Sequence, residues 1–183
     1  MLDLDVLITS WVNSLSGHSS LLDGAFIVIA QAGIFAMVLA VALRWWVGGE
    51  RSGERHAAVI CGLSFLLSLA INQFVLLFMH RIRPYDAGVT HLLLAPSADP
   101  SFPSDHATGA FSIVFGYLFA SRARMALLFL PAAMLVAFSR VYLGTHYASD
   151  ILGGMLTAFL AAAMVRTTYR AGTPLDRWVT SIL

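Results

Sequence analysis

The chain alternates long apolar stretches with short polar connections over most of its length. A helix needs about 20 apolar residues to cross the hydrocarbon core of a bilayer, and five stretches approach or meet that length. They lie at about Leu21–Trp46, Ala57–Met79, His106–Ala120, Met125–Val141 and Tyr147–Val165. The third and fourth are short, but flanking residues buried in a bundle can extend them. The pattern predicts an all-α, polytopic membrane helix bundle of about five transmembrane helices.

The first 18 residues have a different pattern. Their large apolar side chains recur at near-helical spacing, at Leu4, Leu7, Ile8, Trp11 and Leu15. This spacing predicts an amphipathic helix that lies in the membrane interface. No basic segment precedes the apolar residues, so a cleaved signal peptide is not predicted. We interpret residues 1–183 as a single transmembrane domain with an interfacial helix at 1–18.

The composition supports lipid as the solvent of this bundle. The chain is 58% hydrophobic and only 11% charged, with a mean hydropathy of +0.79, so it has too few polar groups to cover a water-exposed globule. All eleven basic residues are arginine, and they are scattered rather than gathered in a stripe. Nucleic acid is therefore not expected as a partner. The single cysteine, Cys61, lies in an apolar run and is predicted to be a packed side chain.

The arginines also predict an orientation. They flank the first connection, the third connection and the C-terminal tail, at Arg44, Arg51, Arg55, Arg122, Arg124, Arg166, Arg170 and Arg177. Five alternating crossings place these segments on one side, which the positive-inside rule assigns to the cytoplasm. The N-terminus, the loop of residues 80–105 and the turn of residues 140–146 then lie outside. That loop is polar, rich in proline and longer than a compact bundle needs, so we predict a functional loop.

Ionisable residues form three clusters on this outer face, and ionisable groups at a membrane edge indicate a site. His146 and Asp150 are four residues apart, so the opening turn of a helix places them on one face. A carboxylate there can hold one imidazole nitrogen as N–H and leave the other nitrogen as a nucleophilic lone pair. The alternative is an ordinary hydrogen-bonded histidine at a helix end.

The other two clusters favour an anion. Ser104 follows Pro103 and precedes an apolar run, which predicts a helix N-cap. The free N–H groups and the dipole of such a helix attract negative charge. Arg83 and Arg140 are forked donors that match phosphate geometry, although either one alone could be snorkelling to the interface. Together, these groups predict a phosphoryl-binding pocket.

These residues also carry a family resemblance. The ordered motifs are Arg83-Pro84, Pro103-Ser104-Asp105-His106, and Ser139-Arg140 followed by His146 and Asp150. They resemble the three-part signature of the type 2 phosphatidic acid phosphatase superfamily. The resemblance implies that His146 forms a phosphohistidine, that Asp150 orients it and that His106 protonates the leaving oxygen. It implies a phosphate site formed by Arg83, Arg140, Ser104 and the backbone amides after Ser104, the first of which is that of Asp105. It implies neither a metal nor another cofactor.

The sequence departs from the family pattern at two positions. A lysine is expected seven residues before Arg83, but Leu76 occupies that position. We expect Arg81, or alternatively His80, to take over as the phosphate ligand. Asp105 stands where many members have glycine, which is tolerable if its backbone N–H contributes and its side chain points away.

Two short segments also resemble one branch of this family. Residues 96–111 and His91-Leu92-Leu93-Leu94 look like the bacitracin-resistance branch, which hydrolyses undecaprenyl pyrophosphate at the outer face of the bacterial plasma membrane. This resemblance implies a polyprenyl pyrophosphate as the lipid phosphate substrate and a role in carrier-lipid recycling for peptidoglycan synthesis. Phosphatidylglycerol phosphate and phosphatidic acid are alternative substrates.

The sequence also leaves two alternative classes of function open. One is a lipid-binding or structural membrane bundle without activity, which predicts no phosphate release. The other is a metalloenzyme built on His80, His91, His106 and His146, although these histidines lack the tight spacing of zinc ligands. The sequence does not indicate an oligomeric state.

Overall fold

The computed structural model describes residues 2–47 and 51–182; Met1, residues 48–50 and Leu183 of the predicted domain lie outside the described residues. The described chain folds into seven α-helices and no β-strand. The helices are α1 Leu2–Asn13, α2 Ser20–Leu43, α3 Arg51–Leu76, α4 Asp105–Phe119, α5 Ala123–Tyr142, α6 Ala148–Thr168 and α7 Pro174–Thr180. The prediction of an all-α membrane bundle is confirmed.

Four helices, α2, α3, α5 and α6, are long and apolar enough to cross a membrane. The fifth predicted span corresponds to α4, which has 15 residues. At 1.5 Å per residue, α4 is about 22 Å long, which is less than the thickness of the hydrocarbon core. The predicted bundle of about five helices thus consists of four long helices around one shorter, central helix.

Helix α4 is the centre of the bundle and packs against α3, α5 and α6. Ten of its fifteen residues are buried, including Phe111, Ile113 and Tyr117. Glycine permits the closest approach: a Cβ atom on Gly116 would lie 2.8 Å from the Cα atom of Cys61 on α3. The prediction that Cys61 is a packed residue is confirmed, since its side chain belongs to this core.

The long helices keep large apolar side chains on their outer faces. Leu21 is 81% exposed, Phe35 is 76% exposed and Leu152 is 64% exposed. In water such surfaces would be unfavourable, whereas in a bilayer lipid tails cover them. The outer faces thus agree with the multi-pass arrangement that the apolar runs predict.

The basic connections meet at one end of the bundle. Arg44 forms an ion pair with Glu54 at 2.9 Å, and Arg122 approaches the same carboxylate at 3.5 Å. The Arg55 guanidinium donates to the Thr180 carbonyl at 2.8 Å and so ties the C-terminal helix α7 to α3. The first connection, the third connection and the tail therefore lie together, as alternating crossings require.

Helix α1 lies across the opposite end, against α5 and α6. Its large apolar residues are exposed: Leu4 at 62%, Leu7 at 63% and Trp11 at 67%. Its polar residues Thr9 and Asn13 are buried against the bundle. Asn13 donates to the carbonyls of His91 and Tyr142 at 2.9 and 2.8 Å. This helix binds the protein through its polar side and turns its apolar side outward, as an interfacial helix would.

Candidate active site

A polar cavity of about 310 Å³ opens where α4 and α6 begin. Its lining contains Gln73, Leu76, Arg83, Ser97, Asp99, Pro100, Pro103, Asp105, His106, Arg140 and His146. The larger depression of about 500 Å³ between α2 and α3 is almost wholly apolar and lies on the outer surface of the helices. The small polar cavity is therefore the candidate active site, and it contains five of the predicted site residues.

The turn after α5 brings Arg140 and His146 together. The backbone N–H groups of Thr145 and His146 both donate to the Arg140 carbonyl, at 3.0 and 3.3 Å. Gly144 makes this reversal with φ +79°, a conformation that favours glycine. A Cβ atom there would also clash with the His91 carbonyl oxygen. Backbone geometry thus fixes the positions of an arginine and a histidine at the cavity wall.

The hydrogen bonds of His146 define its chemistry. Its Nδ1 atom lies 2.8 Å from the Ser101 carbonyl oxygen, which can only accept, so Nδ1 carries the proton. The Nε2 atom then has the lone pair, and it lies 3.5 Å from Nη1 of Arg83. Burial lowers the pKa of His146 below its usual value; the hydrogen bond to Asp150 opposes this, while Arg140 and Arg83 add to it. The imidazole is therefore neutral and can act as a nucleophile at neutral pH.

The Asp150 carboxylate is fully buried behind His146. Its Oδ2 atom lies 3.5 Å from His146 Nδ1, so the predicted pair is adjacent, but the Ser101 carbonyl is the nearer acceptor. Oδ2 also accepts from Ser101 Oγ at 2.5 Å and from the Tyr147 N–H at 2.8 Å. Ser101 thus contacts both members of the pair, and sequence reasoning missed its importance. In the sequence, the position of Ser101 in the polar loop was the only indication that it has a role in the site.

The two cavity arginines differ in how they are held. Arg83 donates from Nε to the Asp99 carbonyl at 2.8 Å and from Nη1 to the Thr145 carbonyl at 3.0 Å. Arg140 is only 9% exposed, and among the described residues its Nε atom has no hydrogen-bond acceptor. A buried charged donor without a partner is costly, so this atom is suited to an anionic ligand.

The start of α4 supplies further groups. Ser104 is the N-cap, as predicted, and its hydroxyl accepts from the Ala107 N–H at 3.5 Å. Ser104 is fully buried and does not line the cavity, whereas Asp105 and His106 do. The Asp105 carboxylate accepts from Asn72 Nδ2 at 2.7 Å, and the His106 ring donates to the Ala30 carbonyl. The first N–H groups of α4 have no acceptor inside the helix and are oriented as an anion would need.

The expected replacement for the missing lysine is not found at the cavity. Leu76 lines it, but His80 is exposed elsewhere and Arg81 does not line it. The Arg81 guanidinium instead donates to Asp150 at 2.7 Å and to Asp5 at 2.6 Å. The prediction that Arg81 binds phosphate is therefore corrected, because two carboxylates compete for its donors and hold it behind His146.

The histidines do not form a metal centre of the kind considered above. Among the residues that the structure describes, no group of three or more His, Cys, Asp or Glu side chains could share a metal ion. His80 and His91 are both exposed and do not line the cavity that contains His106 and His146.

The chain is similar in sequence to a known protein family and to a characterised relative. The family model of the PAP2 superfamily matches residues 57–173. The chain is 34% identical over 149 residues to undecaprenyl-diphosphatase BcrC of Bacillus subtilis (strain 168). The aligned region covers 81% of this chain and 76% of that relative.

Two crystal structures have a similar fold at 20% sequence identity. One is a transmembrane PAP2 type phosphatidylglycerolphosphate phosphatase from Bacillus subtilis, with a TM-score of 0.65 over 93% of this chain and 88% of that one. The other is LpxE of Aquifex aeolicus, with a TM-score of 0.63 over 91% of this chain and 96% of that one.

Proposed function

Because the chain belongs to the PAP2 superfamily and is an integral membrane lipid phosphatase, we propose that it hydrolyses undecaprenyl diphosphate through a phosphohistidine at His146. The observation that carries the proposal is the neutral His146 imidazole, whose unprotonated Nε2 lies 3.5 Å from Arg83 Nη1 in a cavity that Arg140 also lines. This arrangement pairs a nucleophile with fixed positive charge for a phosphoryl group.

In the first step, His146 Nε2 attacks the terminal phosphorus atom. The N–P bond forms while the bond from phosphorus to the bridging oxygen breaks, and His106 gives its proton to that oxygen. The Ala30 carbonyl can only accept from one ring nitrogen of His106, so the imidazole must be charged to act as this acid. The negative terminal phosphate favours the charged form. Arg83, Arg140 and the first amides of α4 stabilise the charge on the transferring group.

In the second step, a water molecule attacks the phosphohistidine. His106, now neutral, accepts the proton of that water as a general base. The N–P bond breaks, inorganic phosphate leaves, and His146 returns to its neutral form. Asp150 and the Ser101 carbonyl hold Nδ1–H throughout, so the same ring nitrogen faces phosphorus in both steps.

The choice of undecaprenyl diphosphate rests on the relative at 34% identity, which is named an undecaprenyl-diphosphatase. Purified protein offered undecaprenyl diphosphate, phosphatidylglycerol phosphate and phosphatidic acid should release phosphate fastest from the diphosphate. Faster release from phosphatidic acid would overturn this choice of substrate and leave the phosphatase reaction standing.

The phosphohistidine is tested by trapping. Rapid quenching of the wild-type protein during turnover should give a phosphoprotein that is acid-labile and alkali-stable, and the His146→Ala protein should give none. His91→Ala is the matched control, because His91 is exposed and does not line the cavity. An equal yield of phosphoprotein from the His146→Ala protein would refute the assignment of the nucleophile.

We propose that the reaction needs no metal, because two arginines and the amides of α4 supply the positive charge that a metal would otherwise provide. An excess of EDTA should leave kcat within about twofold of its value without chelator, whereas loss of activity that Mg²⁺ restores would contradict this. The comparison must use dialysed substrate, since diphosphate lipids carry divalent cations into the assay.

We propose that the cavity faces the outside of the bacterial plasma membrane, because the arginine-rich connections lie at the opposite end of the bundle. A cysteine introduced at the exposed Ala87 should react with a membrane-impermeant thiol reagent in intact cells. A cysteine at the exposed Arg124 should react only after the cells are opened. The buried Cys61 contributes no background. The reverse labelling pattern would overturn the orientation.

A further inference from the structure

The polar side of α1 caps the first turn of α6, the helix that carries Asp150. Thr9 Oγ1 accepts from the Ala148 N–H at 3.0 Å, and Asp5 Oδ1 accepts from the Ser149 N–H at 2.9 Å. The first N–H groups of a helix have no acceptor within it, and neighbouring residues of the chain usually cap them. Here the acceptors come from a helix more than 130 residues away in sequence.

Asp5 also binds the arginine that holds Asp150. Arg81 donates from Nη2 to Asp5 Oδ2 at 2.6 Å and from Nη1 to Asp150 Oδ1 at 2.7 Å. Ser149 Oγ joins both groups, since it donates to Asp5 at 2.6 Å and accepts from Arg81 at 2.6 Å. The guanidinium carbon lies 3.8 Å from the centre of the Tyr147 ring. Two carboxylates, a hydroxyl and an aromatic ring thereby hold the guanidinium in place.

The same contacts divide the charge of Arg81 between two carboxylates. Burial acts to raise the pKa of Asp5, but the hydrogen bonds from Ser149 and Arg81 outweigh it, and the pKa lies below its ordinary value. Asp5 is therefore negative at neutral pH. Without it, the full charge of Arg81 would fall on Asp150, and that carboxylate would stabilise a proton on His146 less well.

We propose that Asp5 is a positioning residue for the phosphatase reaction: through Arg81 it fixes the carboxylate of Asp150 behind His146, and so makes the interfacial helix α1 part of the active site. The proposal rests on the proposed role of His146 as the nucleophile. The family match begins at residue 57 and so does not include α1. The alternative is that Asp5 only anchors α1 to the bundle.

The test compares Asp5→Asn with Asp23→Asn. Asp23 is also an acid near the start of a helix, and it accepts from Tyr142 Oη at 2.7 Å and from the Gly17 N–H at 3.1 Å, away from the cavity. We expect Asp5→Asn to lower kcat about tenfold with KM within about twofold, because a small displacement of a catalytic group costs rate rather than binding. We expect the acid limb of kcat/KM to move to lower pH. Asp23→Asn should change neither.

The pH limb separates positioning from anchoring. A residue that only anchors α1 would lower Tm while kcat and the acid limb stayed at their wild-type values, and that result would overturn the proposal. If Asp5→Asn gives no folded protein, Asp5→Ser is measured, since it also removes the charge and its small hydroxyl fits the same space. A folded Asp5→Ser protein with wild-type kcat and a wild-type acid limb would equally overturn the proposal.

Failure of the underlying function gives a different result. If wild-type protein neither hydrolyses undecaprenyl diphosphate nor forms an acid-labile phosphoprotein, the proposed reaction is wrong. If wild-type protein does both and Asp5→Asn behaves like Asp23→Asn, only the role of Asp5 is wrong.

Discussion

The hydrogen bond from Ser101 to Asp150 gives the sharpest test of how the nucleophile is supported. Replacing Ser101 with alanine removes only the Oγ atom, which donates to Asp150 Oδ2 at 2.5 Å. The Ser101 carbonyl, which accepts from His146 Nδ1 at 2.8 Å, belongs to the backbone and stays. The substitution therefore loosens the carboxylate without removing the nearer partner of the imidazole.

The size of the effect follows from the burial of both groups. Ser101 and Asp150 are each fully buried, so water does not replace the lost donor. A hydrogen bond to a charged group contributes about 1.5–3 kcal/mol. If this free energy is lost from the transition state, kcat falls about ten- to a hundredfold, because each 1.36 kcal/mol is a factor of ten in rate. We expect KM to change little, since Ser101 does not line the cavity.

The assay is phosphate release from undecaprenyl diphosphate by purified protein in detergent, with Tm measured on the same samples. Ser112→Ala is the matched control: Ser112 is equally buried, and its Oγ donates to the Gly109 carbonyl of its own helix at 2.7 Å. We expect Ser112→Ala to keep wild-type kcat. If Ser101→Ala lowers Tm as much as Ser112→Ala does and leaves kcat unchanged, the bond supports folding rather than catalysis.

The burial of His146 and the close packing of Gly154 can each be tested. Because burial lowers the pKa of His146, its neutral form persists below the ordinary pKa of about 6.5. The acid limb of the pH profile of kcat/KM should therefore lie below about pH 6.5. An acid limb at or above about pH 6.5 would contradict a buried neutral nucleophile. Gly154→Ala should lower both Tm and kcat, because its Cβ atom would lie 2.7 Å from the Ser104 carbonyl oxygen and would push the start of α4 away from α6. Gly62→Ala, whose Cβ atom meets nothing within 4 Å, is the control and should leave Tm unchanged or raised.

The membrane makes much of the fold predictable from the sequence. Lipid cannot satisfy backbone polar groups, so each long apolar run must become a helix, and hydropathy alone locates α2, α3, α5 and α6. The N-cap at Ser104 is equally local, because it depends on residues one turn apart. The short α4 was found as a helix, but its central position was not, since burial by neighbouring helices leaves no distinct signal in an apolar sequence.

Part of the candidate site could likewise be predicted from the sequence. The pair His146 and Asp150 could be predicted because the two residues are only four apart in sequence. Their side chains are adjacent in the structure, although His146 lies in the turn just before Tyr147, the N-cap of α6, rather than on the helix itself. The cavity positions of Arg83 and Arg140 follow from the family motifs. These features depend on short stretches of chain whose geometry neighbouring residues determine.

Only the tertiary structure decided which acceptors Arg81 would bind. Near the nucleophile, a phosphate site and two carboxylates are all suitable partners for a guanidinium, and the choice depends on contacts across 69 residues to Asp150 and 76 residues to Asp5. The same holds for Ser101, whose hydroxyl and carbonyl meet α6 and the preceding turn only after the loop has folded. A sequence specifies the donors and acceptors, but packing decides which of them meet, because competing partners differ by distance rather than by chemistry.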